Sequence, residues 1–322
     1  MSKDTIVCAG IDTGKRKLDV AIHASAQKLQ VDNSAEGHAR LSAWLRMHLV
    51  ERVGIEASGG YEQEVVAHLR REDFVVIVFQ PAQVRAYARF LLQRAKNDKI
   101  DAVLIAASTA ATKKIHAPPD ARLAPFAEQM TLIDQLKDDV SRFKNRLETC
   151  HDAHNRGFWK GQISQFKRME KTEIKALERA VRQHQDLAER LDLILSVDGV
   201  GLPTALAILV RMPEIGRITR EQAASLAGLA PFDDASAERE GERHIAGGRA
   251  RLRERLYMAA LPAAMLWNPE VMALYQRLTA AEKPHKVALV ACARKLLIFV
   301  NTVVERGTPW VSKRSAVLGV AT

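Results

Sequence analysis

Along the first hundred residues, short apolar runs alternate with amphipathic stretches. TIVCAGID is apolar and β-branched, KLDVAIH follows a glycine-containing turn, and KLQVDN reads as a third strand, so an antiparallel meander is predicted. A helix is predicted over Ala35–Leu49, with Leu41, Trp44 and Leu45 on one face and Ser34 as its N-cap. RVGIEA and FVVIVF read as the fourth and fifth strands, with a helix over Tyr61–Arg70 between them. From Pro81 the pattern turns helical, through Gln83–Gln93 and Asp98–Thr112, and Pro118, Pro119 and Pro125 then predict a boundary.

Beyond it, Glu128–Cys150 and Gln165–Leu193 carry apolar residues at helical spacing amid alternating charge: Leu132, Leu136, Val140, Phe143 and Leu147, then Ile174, Leu177, Val181 and Leu187. They read as two long amphipathic helices, either an antiparallel or intermolecular coiled coil or a pair of solvated surface helices. A third region begins with SVDGVGLPTALAIL at 196–209, continues through ITREQAASLAGLAP, and ends in helices over Arg249–Leu261 and Lys286–Val304. After Pro309 periodicity fades, as in a mobile tail.

With 322 residues the chain has room for two domains, each with its own core. Its formal charge of +10 favours a polyanionic partner such as nucleic acid. The excess is uneven: residues 1–110 hold 15 Lys/Arg against 13 Asp/Glu, leaving 33 against 25 for the rest. The first part therefore reads as a near-neutral catalytic module and the remainder as the polyanion-binding part. Cys8, Cys150 and Cys292 are far apart and lack metal-ligand spacing, so neither a disulfide framework nor a zinc site is supported. No signal peptide is read at the start, and no apolar run is read as reaching the roughly 18 residues of a spanning helix. A cytoplasmic protein that does not engage a membrane is expected.

Four carboxylates carry the candidate chemistry: Asp12 in GIDTGK, Glu56 in GIEASGGYE, and Asp98 with Asp101 in KNDKIDA. The first two close strand-like runs, and the last two sit three apart, where a helix puts both on one face. Mg²⁺ takes hard carboxylate oxygens, and two-metal phosphodiester chemistry needs acidic ligands around cations about 4 Å apart. Taken singly the residues have plainer readings, since strands often end in Asp and an acid at a helix start complements the dipole. Three antiparallel strands followed by β-α-β units is also the order of an RNase H-like fold.

Three further features bear on nucleic acid. The turn of GVGLPTALAIL, with Gly199 and Gly201 and with Arg211 nearby, can aim backbone N–H groups at a phosphate; the plainer reading is a helical hairpin. In GGRARLRERLYMAAL, Arg249, Arg251, Arg253 and Arg255 alternate, and Arg251 and Arg255 share a helix face suited to a phosphate clamp or to a solvated basic face. Ser236, in the polar loop before them, has no neighbouring base and by its chemistry alone reads as a turn residue.

Together these phrases resemble one known family over nearly the whole chain. GIDTGKRKLDVAIH, GIEASGGYE, QPAQVRAYARFLLQRAKNDKIDA, SVDGVGLPTALAIL, SLAGLAPFDDAS, GGRARLRERLYMAAL and KPHKVALVACARKLL occur in the order found in the DEDD-type insertion-sequence transposases related to the Piv invertase, the IS one-ten family. Gly247-Gly248-Arg249 followed by LYMAAL is similar to the IS eleven-eleven subgroup. The resemblance implies an α/β plus α architecture. Its parts are a RuvC-like RNase H-fold catalytic domain over 1–117, a helical coiled-coil segment over 118–193, a mainly α-helical C-terminal transposase domain over 194–308, and a tail over 309–322.

By position it implies that Asp12, Glu56, Asp98 and Asp101 bind two Mg²⁺ ions, and that Ser236 is a nucleophile that joins covalently to DNA. It further implies a site shared between protomers, a homodimer pairing into a tetramer, and a structured noncoding RNA that chooses the DNA sites. Ala237 stands where the family usually has glycine after the serine, and Asn97 and Gln80 also depart from the common pattern. The expected function is excision and insertion of an element by strand transfer. The alternatives are a RuvC-like junction resolvase or nuclease, which would need the carboxylates but not Ser236, and a catalytically silent nucleic-acid-binding protein, which would need neither.

Overall fold

The computed structural model describes residues 6–92, 98–113, 115, 120–232 and 244–312, with the backbone alone for 98–100 and 232. They fall into two compact units, Met1–Pro118 and Pro119–Thr322.

The first unit is built on one mixed sheet. Strands β1 (Cys8–Thr13), β2 (Lys17–Ile22) and β3 (Lys28–Asp32) form the expected meander, and helix α1 (Ala35–Met47) follows with Ser34 capping it through Gly37 N. Strands β4 (Arg52–Glu56) and β5 (Val75–Phe79) enclose α2 (Gln63–Arg71), and α3 (Pro81–Phe90) and α4 (Asp98–Ala111) complete the unit. The strand order is β3-β2-β1-β4-β5, antiparallel at β1–β2 and β2–β3 and parallel at β1–β4 and β4–β5. Strands β1 and β4 are covered on both sides, which is why they read as continuous apolar runs. Ala9, Ile11, Val53 and Ile55 form one core with Leu41 and Leu45 of α1 and Val65 and Leu69 of α2. On the opposite face Leu104 and Ile105 of α4 pack with Phe79 and Val84.

The second unit is mainly helical: α5 (Leu123–Glu148), α6 (Ala153–Arg182), α7 (Gln185–Leu195), α8 (Leu202–Arg211), α9 (Arg220–Ala227), α10 (Ala250–Pro262), α11 (Pro269–Ala280) and α12 (His285–Arg306). A π-helical segment, Ala263–Trp267, joins α10 to α11. Helices α5 and α6 form an antiparallel hairpin: Phe143 stacks on Trp159, and at the other end Gln129 Nε2 donates to Glu173 Oε2 at 2.9 Å. The base of the hairpin, through Met130, Ile133, Leu177 and Val181, belongs to the unit's core, so the pair is not a free surface feature.

Three boundaries differ from the sequence pattern. The helix read over Gln165–Leu193 is two, because the apolar period skips from Val181 to Leu187; α7 turns there to bury Leu187, Leu191 and Ile194. Pro125 lies inside the first turn of α5, where its missing N–H has no intrahelical acceptor to lose. Helix α12 does have the length and composition of a membrane-crossing helix. One apolar face of it, including Leu289, Leu296, Leu297 and Val300, is fully buried in the helical core. Beyond it Trp310 is not loose: its ring lies 4.2 Å from that of Phe299, and its backbone N–H donates to Ser196 Oγ at 2.8 Å.

Candidate active site

The carboxylates of the first unit are placed by β1, β4 and α4. Parallel pairing of Gly10 with Gly54 and of Ile11 with Ile55 sets Asp12 and Glu56 side by side near the carboxyl ends of neighbouring strands. Alternation along a strand gives Asp12 the face of Gly10 and Glu56 the face of Gly54. Helix α4 covers that face so closely that a β-carbon on Gly10 would collide with the backbone of Ala102 and Ala106, and one on Gly54 with the Thr109 hydroxyl. Glycine at these two positions is what lets the helix lie on the sheet. Asp101 stands one turn before the buried Ile105 on the same side of α4, so it shares this face. Asp98 opens α4, and its side chain lies outside the described residues.

A fifth carboxylate belongs to the same surface. Asp19 of β2 is the direct cross-strand partner of Asp12, so both side chains leave the sheet on one side. Asp19 accepts from Gln30 Nε2 at 2.8 Å, and Gln30 Oε1 in turn accepts from Lys17 Nζ at 3.1 Å. Its place inside the apolar alternation of KLDVAIH was the available signal, which the motif-based reading passed over.

The loop after Glu56 is organised by Glu62. One carboxylate oxygen accepts from Ser58 N at 3.0 Å, Ser58 Oγ at 3.1 Å and Gly60 N at 2.9 Å. Burial pushes the Glu62 carboxyl up, but its own backbone N–H together with the donors of Ser58 and Gly60 outweighs it and holds the group below its ordinary value.

Among the described residues no three His, Cys, Asp or Glu side chains converge closely enough to hold a metal ion. The Asp98 side chain is not among those described. The donors that Asp12, Glu56 and Asp101 bring to the α4 face are carboxylate oxygens, which fit a hard divalent cation.

Ser236 lies outside the described residues. The segment carrying it is flanked by β6 (Pro231–Phe232) and β7 (His244–Ile245), which pair antiparallel with Phe232 opposite His244. Gly199 sits between α7 and α8 with a φ of +94°, against Ala263, and Gly201 is the N-cap residue of α8.

Arg211, Arg249, Arg251 and Arg255 of the second unit hold carboxylates of the same chain. Arg255 and Asp134 meet at 2.8 Å with side-chain exposures of 9% and 7%. Arg211 Nη1 approaches the other Asp134 oxygen to 2.6 Å, an ion pair lying off the hydrogen-bonding direction. Arg251 grips Asp138 through two bonds of 3.0 and 2.6 Å, and Arg249 grips Glu214 through two of 3.1 and 2.7 Å. The i, i+4 spacing that puts Arg251 and Arg255 on one face thus matches Asp134 and Asp138, also i, i+4, on α5.

A second basic surface lies elsewhere in the same unit. A groove of about 1550 Å³ beside α9, α11 and α12 is lined by Arg277, Arg294 and Lys295 together with Phe299 and Trp310, and Glu221 and Glu270 also line it. Lys295 Nζ stands 5.0 Å above the Phe299 ring. Arg294 and Lys295 are half-buried, and their setting in KVALVACARKLL gave no basic cluster for the sequence pattern to detect.

Comparison with known proteins gives the class: the chain is a DNA transposase or site-specific recombinase, an enzyme type that cuts and rejoins DNA. A DEDD-type IS110 transposase model matches residues 9–154, and a model described as "Transposase IS116/IS110/IS902 family" matches residues 191–276. The chain belongs to this IS110, or IS one-ten, family. It is similar to the pilin gene-inverting proteins of Moraxella bovis and Moraxella lacunata, each 24% identical over 326 residues that cover 96% of this chain and 98% of the relative. An insertion element IS110 protein of Streptomyces coelicolor is 31% identical over 126 residues, 38% of this chain and 31% of its own length. The first model spans all four carboxylates of the tetrad, and the second spans Ser236.

Proposed function

We propose that this protein is a metal-dependent serine recombinase that excises and inserts its own element, with sites chosen by a noncoding RNA. The observation that carries the reading is the shared face. Asp12 and Glu56 lie one step beyond the Gly10–Gly54 pair, under the helix that bears Asp98 and Asp101. We read this unit as RuvC-like with an RNase H fold, for which the observed strand order and directions give support.

In this account Asp12, Glu56, Asp98 and Asp101 would hold Mg²⁺, which would acidify a hydroxyl and offset charge developing on the phosphoryl oxygens. Ser236 supplies the nucleophile: its Oγ–P bond forms, one P–O bond to a deoxyribose breaks, and the departing oxygen leaves as a hydroxyl. The phosphoserine keeps the energy of the phosphodiester, so a hydroxyl of a second strand can displace the serine without an external energy source. Glu62 and its loop fix the backbone that follows Glu56. The groove at Arg294 and Lys295 offers charge for the phosphate backbone, with aromatic rings beside it. In this reading the active assembly is a dimer that pairs into a tetramer.

The test is excision in cells carrying the gene in its native flanking DNA, followed by amplification across the circle junction. Wild type is expected to yield the circle, and both Asp101→Asn and Ser236→Ala to abolish it. A circle that survives Ser236→Ala would return the chemistry to hydrolysis at the carboxylates.

A further inference from the structure

Two loops leave the carboxylate-bearing strands: the β1–β2 turn, which follows Asp12, and the Ala57–Glu62 loop, which follows Glu56. A single side chain touches both. Asn33, between β3 and α1, donates from Nδ2 to Gly14 O at 3.1 Å and to Tyr61 O at 3.0 Å. Its own backbone N–H donates to Arg16 O at 2.9 Å, in the same β1–β2 turn. The remaining amide atom, Oδ1, meets His38 Nε2 at 2.7 Å.

This arrangement fixes its own protons. Gly14 O and Tyr61 O only accept, so the amide NH₂ must face them, and Oδ1 then needs a donor. His38 therefore carries hydrogen on Nε2. The ring is 3% exposed and packs 5.8 Å from His68, whose own Nε2 lies 3.2 Å from Ser42 Oγ. An asparagine that merely shaped a turn would bond its immediate neighbours. Asn33 instead spans 19 residues to one loop and 28 to the other.

We propose that Asn33, supported by His38, is a positioning residue that clamps the two loops and so sets the separation of Asp12 and Glu56 for metal binding. This rests on the reading of those two carboxylates as metal ligands. Neither Asn33 nor His38 touches DNA or metal in this role. Both act at one remove, through the backbone that follows each ligand.

The full-length protein is titrated with Mn²⁺, as a probe of the Mg²⁺ site, and binding is followed by calorimetry alongside thermal unfolding without metal. Asn33→Ala, Asn33→Ser and His38→Leu are expected to weaken Mn²⁺ binding about 10-fold or more, the usual scale for losing a group that orients a ligand. His38→Gln, whose Nε2 can donate to Asn33 Oδ1 from a similar position, is expected to bind as wild type does. The metal-free unfolding temperatures of Asn33→Ser and His38→Gln report whether each variant is folded. Variants that fold and bind Mn²⁺ like wild type would overturn the clamp while leaving the metal site intact. A wild type that binds no Mn²⁺, yet still joins DNA strands, would overturn the metal reading and the clamp with it. A lowered unfolding temperature with an unchanged Mn²⁺ affinity would make Asn33 a purely structural residue and overturn the proposal.

Discussion

Replacing Asp134 by Asn should separate structural arginines from DNA-binding ones. The Asp134 carboxylate is 7% exposed and faces two guanidinium groups, Arg255 at 9% and Arg211 at 17%. Removing the carboxylate that two buried cations share costs about 3–5 kcal/mol, because the charges stay desolvated with that partner gone. The neighbouring pair of Asp138 and Arg251, at 32% and 50% exposure, serves as an internal control. Its loss should cost at most about 1 kcal/mol, since water and salt screen it. For a folding unit of this size 1 kcal/mol corresponds to roughly 2–4 °C, so Asp134→Asn should lower the unfolding temperature by roughly 6–20 °C and Asp138→Asn by no more than about 4 °C. Calorimetry of the full chain reads the difference. DNA affinity, measured by fluorescence anisotropy, should stay close to wild type for any fraction that remains folded. Replacing Asp134, Arg211 and Arg255 together by Leu, Met and Met should recover much of the stability, as apolar substitutes for buried ion clusters do. The reasoning fails if Asp134→Asn is no less stable than Asp138→Asn and binds DNA more tightly. In that case the carboxylate only competes with phosphate for two available arginines.

Other consequences are as direct. Gly10→Ala puts a methyl group into the backbone of α4 at Ala102 and Ala106; it should cost about 1–3 kcal/mol and impair strand joining, read by thermal unfolding and the excision assay. The Glu62 carboxyl lies below its ordinary 4.5 in the folded chain, so it contributes stability above that value. That contribution disappears as the pH falls through the folded value. The stability gap between wild type and Glu62→Gln should therefore be full at neutral pH and close in acid, and a gap unchanged across the range would contradict the hydrogen-bond account. Reversing charge at Arg294 and Lys295 together should weaken DNA binding and reduce the slope of log K against log salt by roughly 2, if each cation meets one phosphate.

Much of the first unit was legible before any coordinates, for a physical reason. Its central strands β1 and β4 are short, apolar and buried on both faces, and α1 starts at an ordinary cap, Ser34. The meander, the β-α-β order and the two strand-end carboxylates all follow from local pattern. Asp19 was passed over because membership of the acidic face depends on register with Asp12, a pairing that no local window contains. Asn33 was invisible for the same reason, since its partners are remote in sequence and both are backbone carbonyls. In the second unit a run of alternating arginines looks alike whether it faces phosphate or protein. Only the matching spacing of Asp134 and Asp138, more than a hundred residues earlier, decides that Arg251 and Arg255 are held within the fold. Helix α11 went unread because it starts at Pro269, immediately after a π-helical segment that breaks the apolar period.

The proposed chemistry joins Ser236 covalently to DNA with Mg²⁺ and the carboxylates Asp12, Glu56, Asp98 and Asp101. The most direct test uses the purified protein, Mg²⁺ and a DNA duplex bearing the element end with a nick that lets the cleaved strand diffuse away. Denaturing electrophoresis and peptide mass spectrometry then look for DNA fixed to the chain. The account predicts an adduct at Ser236 with wild type and none with Asp12→Asn, Asp101→Asn or Ser236→Ala. Cleaved DNA without any adduct, or an adduct that persists in Asp12→Asn and Asp101→Asn, would contradict it.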